Sequence, residues 1–148
     1  MAGNRENYEQ AMRAAYDHSW NQNWKAAIEA YKQALTESPR DLAATLGLGG
    51  AFLEMGQVQV ALKVFERAVQ LAPEDTGALA KLAEVQERLG RPEDAAITQI
   101  KTGYAFAQQG KLEEAADAWS RSSRLAADQV EAHLQLAQVL VQLDRSEE

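Results

Sequence analysis

Apolar residues in this 148-residue chain come in short bursts at helical spacing. Leu48, Phe52 and Met55 fall at i, i+4 and i+7, Gly56 interrupts, and Val60, Ala61, Val64, Phe65 and Ala68 resume the rhythm until Pro73. That spacing places each apolar set on one stripe of an α-helix, while the glycine ends the first helix and the proline ends the second. The same two-helix phrase stands upstream. Alanines coincide at Ala27 and Ala61 and at Ala34 and Ala68, aromatics at Tyr31 and Phe65, prolines at Pro39 and Pro73, and small residues at Ala15, Gly49 and Ala83, always 34 positions apart. A helix pair of this kind cannot bury its apolar stripe alone, so the units must stack on their neighbours.

One place breaks the period. Gly90-Arg-Pro-Glu-Asp-Ala95 is echoed by Gly110-Lys-Leu-Glu-Glu-Ala115 after 20 residues, not 34. A third unit starting near Thr76 runs its first helix through Leu79, Leu82, Ala83 and Leu89 to Gly90. Its second helix should then carry an aromatic near 99 and an alanine near 102, where the chain has Gln99 and Thr102. Read backwards, Gly103, Phe106 and Gly110 look like the end of a first helix, followed by a second over Leu112–Ala126 with Ala115 and Trp119 in the alanine and aromatic slots. Within 95–109 only Gly103 breaks helices at all, at about 1 kcal/mol. The pattern therefore predicts one helix over Pro92–Gln109, about 27 Å long at 1.5 Å per residue, that both ends one unit and begins the next. Two consequences stay open: a harmless deletion, or a change of phase that shapes a groove or a self-association surface.

These residues resemble the tetratricopeptide repeat family, whose signature is a 34-residue helix pair with a small residue midway along the first helix, then alanine, aromatic and alanine along the second, and a closing proline. The second unit matches best, with Leu48-Gly49, Phe52, Ala61, Phe65, Ala68 and Pro73; the first has Ala15, Ala27, Tyr31, Ala34 and Pro39, with Ala11 where the family has a bulky residue. The resemblance covers roughly 8–143. It implies an all-α, right-handed superhelix (an α-solenoid) of antiparallel helix pairs with about eight helices and a phase break at 90–110, in one array: repeats at about 8–41, 42–75, a shortened 76–95, 96–129, and a terminal helix over 130–143.

In this family the first helices line a concave wall that takes extended or helical peptides, so the resemblance implies a non-catalytic protein-interaction module. The wall-facing positions here are Met12, Tyr16, Leu46, Gly50, Leu53, Ala80, Lys81, Glu84, Ile100, Tyr104 and Leu134. One subgroup grips the carboxylate of chaperone tails with lysine, asparagine and arginine. The corresponding faces here carry Met12, Tyr16, Gly47, Gly77 and Lys81, a single cation, which argues against that ligand.

Charge narrows the partners. With 15 basic against 22 acidic residues the net charge is −7, the wrong sign for a phosphate-backbone binder, so no nucleic acid is expected. Several acids sit where helices should begin, Glu74-Asp75, Glu93-Asp94, Glu113-Glu114 and Asp128, and there they complement free N–H groups. No cysteine is present, which removes disulfides, thiol nucleophiles and thiolate metal sites. No run approaches 18 apolar residues and the N-terminal residues lack a signal-peptide core, so no membrane contact and a cytoplasmic location are expected. His18 and His133 occupy packing slots, and Gly47-Leu-Gly49-Gly50 falls inside a helix instead of after a strand. No enzyme activity, metal or cofactor is expected. The last helix is apolar nearly all round, with Leu134, Leu136, Val139, Leu140, Val141 and Leu143. Either it belongs to a longer array or it packs against something, such as another copy in a homodimer through Leu134 and Val141; the alternative function is thus a self-associating scaffold.

Overall fold

The computed structural model describes the backbone of residues 2–127 and 130–147, and the side chains of residues 4–127 and 134–143. Among the described residues there are eight α-helices and no strand: α1 (Ala2–Trp20), α2 (Trp24–Glu37), α3 (Leu42–Glu54), α4 (Val58–Leu71), α5 (Thr76–Arg88), α6 (Pro92–Gln108), α7 (Leu112–Leu125) and α8 (Val130–Glu147). They gather into two compact units, Met1–Ala72 and Pro73–Glu148. In the first, each of α1 to α4 packs on the next; in the second, α5 to α8 do the same.

Two kinds of helix end alternate, and both can be traced to the chain. The first kind closes on a left-handed residue, at Gln22 (φ 61°), Gly56 (76°), Gly90 (70°) and Gly110 (76°). After each, a backbone N–H reaches back five residues: Asn23 to the His18 carbonyl at 2.8 Å, and Gln57 to Phe52, Arg91 to Gln86 and Lys111 to Phe106, each at 2.9 Å. This is the Schellman closure, which satisfies carbonyls left over at a helix end. The second kind ends on an extended residue, Ser38, Ala72 or Ala126, with φ of −138°, −142° and −143°.

The left-handed residues follow one another at intervals of 34, 34 and 20, whereas the extended ends lie 34 and then 54 apart. Helix α6 therefore starts after a Schellman turn, as α2, α4 and α7 do, and finishes in another, as α1, α3 and α5 do. It is one unbroken helix of 17 residues, as its sequence predicts. Pro92 at its first turn and the acidic pair Glu93-Asp94 suit its start, where N–H groups are unsatisfied. Helices α3 and α5 are capped instead by aspartates 34 residues apart: the Asp41 and Asp75 carboxylates accept from the Ala44 and Ala78 N–H groups at 2.8 Å.

The core is a seam of small residues facing rings. A Cβ on Gly47 would run into the Tyr31 ring, one on Gly49 would stand 2.7 Å from Phe65, and one on Gly103 would run into the Trp119 indole. Ala27, Ala61, Ala95 and Ala115, at the matching position of α2, α4, α6 and α7, have no exposed surface. Because α6 packs on α5 along one side and on α7 along another, its burial extends to polar positions. Thr98, Gln99 and Thr102 are all buried, as is Ser122 on α7. Three of the four are satisfied locally: Thr98 donates to the Gln86 side chain at 2.7 Å, Thr102 to the Thr98 carbonyl at 2.8 Å and Ser122 to the Ala96 carbonyl at 2.9 Å.

Candidate functional site

The sequence-derived surface residues separate into exposed and buried sets. In the first unit Tyr16 is 54% exposed, with its ring edge-on to the buried Tyr31 at 6.4 Å between centroids. Leu46, Gly50 and Leu53 on α3 are half-buried. In the second unit Tyr104 is 37% exposed and edge-on to the buried Trp119 at 5.6 Å. Both tyrosines are thus held by the ring beneath them, in the same register of their helices. Lys81 and Glu84 are exposed and pair with each other at 3.5 Å.

Met12 and Ile100 belong to the core instead of the surface. Met12 shares the buried side of α1 with Ala11 and Ala15, and Ile100 packs in a cluster with Ala115, Ala116, Trp119 and Val139. Ile100 is buried because Ala115, Ala116 and Trp119 of α7 and Val139 of α8 close around it, which the spacing along a single helix does not anticipate. On α8, Leu134, Leu140 and Val141 are more than half exposed while Val139 is buried, so this helix does have an inner face. His18 is half-buried, and the side chain of His133 lies outside the described residues.

Each unit also carries a groove with one helix as floor and two as walls. In the first, about 330 Å³ opens over Thr45 and Leu48 of α3, between α2 (Leu35) and α4 (Val60, Val64), with Lys63 and Arg67 as its charged groups. In the second, about 510 Å³ opens over Gln99, Thr102 and Phe106 of α6, between α5 and α7. The positions correspond. Thr45, Leu48, Val60, Lys63, Val64 and Arg67 become Gln99, Thr102, Glu114, Asp117, Ala118 and Arg121 at a shift of 54, one period of 34 plus the short step of 20.

What differs is the opposite wall. The first groove has α2, a second helix of its pair; the second has α5, a first helix. The face of α5 read from sequence as partner-facing, with Ala80, Lys81 and Glu84, therefore looks onto α7 across this groove. Sequence reasoning missed Glu87, Glu114, Asp117 and Arg121, although the short step was the signal that could have found them.

Electrostatics add one further feature in the first unit. Burial and the neighbouring Asp41 carboxylate push the Tyr8 hydroxyl up to about 12. Tyr8 flanks a hollow over Met12 that Glu9, Arg13 and Tyr16 complete. Among the described residues no group of three histidine, cysteine, aspartate or glutamate side chains could hold a metal ion, and no helix is long and apolar enough to cross a membrane.

The chain is 30% identical over 128 residues to superkiller protein 3 of Schizosaccharomyces pombe, covering 77% of this chain and 9% of that protein. It is 36% identical over 59 residues to superkiller protein 3 of Saccharomyces cerevisiae, covering 40% of this chain and 4% of that one. The chain thus spans less than a tenth of the length of these curated relatives. Among solved structures it is similar to the TPR2B domain of yeast Sti1 in complex with an Hsp70 peptide (TM-score 0.70, 16% identity, 80% of this chain and 98% of that one). It is also similar to the TPR domain of Arabidopsis OM64 (0.67, 20%, 82% and 98%) and to MamA (0.59, 18%, 90% and 81%). These structural likenesses establish the fold. The tetratricopeptide repeat profile matches residues 12–76 and 51–99, and a second TPR repeat profile matches 103–144. Profile matches over most of the length, helix pairs closing at intervals of 34, and aromatic rings seated on small residues lead to one assignment: the chain belongs to the tetratricopeptide repeat family.

Proposed function

We propose that this protein is a non-catalytic interaction module that binds a peptide or helix of a partner protein along the faces of its first helices, the concave groove of its family. The observation that carries this reading is the pair of exposed tyrosines, Tyr16 and Tyr104, each fixed edge-on against a buried ring. A tyrosine already held in place offers a partner a large amphipathic surface at little further loss of conformational freedom. Leu46, Gly50 and Leu53 supply apolar and small surface beside such anchors, and Lys81 and Glu84 supply charge. Proteins of this fold include Sti1, solved with an Hsp70 peptide, which supports a peptide as the kind of ligand. A cytoplasmic location and the absence of nucleic-acid and membrane partners belong to the same proposal and rest on the sequence, on its acidic balance and its lack of long apolar runs.

A random-peptide display selection tests the reading, run on the wild type and on a Leu46→Glu/Tyr104→Glu variant shown by circular dichroism to be helical. Peptides enriched on the wild type and lost on the variant are the expected result. Identical peptides on both proteins would remove these faces as the working surface. A second reading rests on α8, whose Leu134, Leu140 and Val141 are exposed: a scaffold that pairs with another copy of itself. Sedimentation velocity distinguishes it, because pairing through α8 depends on concentration and is abolished by Leu134→Glu/Val141→Glu.

A further inference from the structure

The groove of the second unit exists because a first helix, α5, stands where the 34-residue period would place a second one. Its floor holds an unusual group. Gln99 occupies the slot that Tyr31 and Phe65 fill in earlier helices, and it is 5% exposed. No described residue hydrogen-bonds its side chain, yet none of the buried side-chain nitrogens and oxygens among the described residues lacks a partner. The carboxamide therefore opens onto the groove that Gln99 lines. A carboxamide offers one acceptor and two donors, the complement of a peptide unit.

The walls have a definite sign. Glu84, Glu87, Glu114 and Asp117 stand against two cations, Lys81 and Arg121. Lys81 is taken by Glu84 at 3.5 Å. Among the described residues the other three carboxylates make no ion pair, which leaves three acids against Arg121. Glu114 and Asp117, one turn apart on α7, are spaced to offer two carboxylates to a single side chain. Such a concave, low-dielectric surface concentrates the field of its charges. Ala80 and Ala118 keep the walls low, so backbone can approach the floor.

We propose that this groove binds an extended, basic segment of a partner protein, with the Gln99 carboxamide on its backbone and Glu87, Glu114 and Asp117 on an arginine or lysine side chain. The proposal rests on the interaction-module reading and gives it a site and a ligand chemistry. An extended segment is favoured over a helix because its N–H and C=O groups are free to meet a carboxamide, whereas a helix has used its own. The floor from Gln99 to Phe106 spans about 10 Å, room for about three extended residues. Arginine suits two neighbouring carboxylates better than lysine, since its planar fork makes paired hydrogen bonds.

The test is a selection from random nonapeptides displayed on phage against the whole chain, followed by anisotropy titration of fluorescein-labelled winners. Winners should be enriched in arginine and lysine. They should bind at least tenfold more weakly to Glu87→Gln/Glu114→Gln/Asp117→Asn, and again to Gln99→Met, both near-isosteric changes whose folding is confirmed by thermal melting. Replacing arginine by citrulline in the peptide should cause a similar loss without touching the protein. Lys63→Gln/Arg67→Gln in the corresponding groove of the first unit should leave binding unchanged. Winners without a basic excess, or basic winners indifferent to the three acids and Gln99, would overturn this site while leaving the interaction module standing. An empty selection on the wild type would overturn both.

Discussion

The two units solve one packing problem with different materials. In the first, Tyr31 sits on Gly47 and Phe65 on Gly49, and the groove between α2 and α4 is apolar with a basic edge. In the second, Trp119 sits on Gly103, but α6 buries Thr98, Gln99 and Thr102, and the groove between α5 and α7 is larger and acidic. The ring-on-glycine seam survives the loss of 14 residues because it is a contact between adjacent helices, indifferent to what lies further along the chain. The grooves do not survive, because a groove needs three helices and the third has changed type. Local packing is thus robust to a change of period, while surface character is reset by it. A repeat protein can acquire a new surface this way without rebuilding a core.

The largest expected effects probe the seam. Trp119→Ala should destabilise by about 3–5 kcal/mol and Phe65→Ala by a comparable amount, read from urea unfolding followed by far-ultraviolet circular dichroism. Trp119→Phe isolates the polar part, since the indole N–H donates to the Ile100 carbonyl at 3.1 Å, a bond Phe65 cannot make. That substitution should cost about 1 kcal/mol beyond the lost apolar area. If Trp119→Ala costs far less than Phe65→Ala, the two seams are not equivalent and the comparison fails.

Neighbouring glycines sharpen the same point at smaller scale. Gly49→Ala and Gly103→Ala drive a methyl into Phe65 and Trp119, and each should cost about 1–3 kcal/mol. Gly50→Ala, one residue further along the same helix, meets nothing within 4 Å and should stabilise by about 0.5–1 kcal/mol through helix propensity. Thermal melts of the three variants give both the size and the opposite sign. A loss at Gly50 would mean that α3 is not the regular helix described here.

A further pair concerns the Schellman turns. Gln22 takes a left-handed conformation where the next three turns use glycine. Gln22→Gly should gain up to about 1 kcal/mol, and Gly90→Ala should lose about as much. The measurement is again the unfolding midpoint. Equal, negligible shifts would show that these turns relax easily and do not fix where helices end.

Most of the fold was legible because its signals are local. Glycine, proline and alanine at fixed spacing mark helix ends and contacts, and the unbroken α6 followed from the absence of a strong breaker between Ala95 and Gln109. The aspartate caps at Asp41 and Asp75 are local too, though only Asp75 stood out as a helix-start acid before the structure. The site was less legible. The register of an ordinary first helix sets Met12 and Ile100 outward, whereas both are buried, Ile100 by side chains of α7 and α8 that spacing along one helix does not place. Gln99 read as a failure to match an aromatic slot. Its meaning emerged only when α5 and α7 were seen to flank it, a relation among three helices that a pairwise period does not contain.

The smallest effect is a titration in the first unit. Tyr8 is held up at about 12 by burial and by the Asp41 carboxylate. The folded chain keeps the Tyr8 proton more tightly than the unfolded chain, so its contribution to stability is fully present below pH 10 and is lost as the pH climbs towards 12. Absorbance at the tyrosinate band should therefore show a late-titrating phase, and Tyr8→Phe should remove that phase. Asp41→Asn tests the cause. It removes the negative charge but leaves an oxygen to accept the Ala44 N–H, so the late phase should move to lower pH while the start of α3 stays capped. If the phase does not move, burial alone holds the proton, and the charge at the head of α3 acts on the helix and not on the surface of α1.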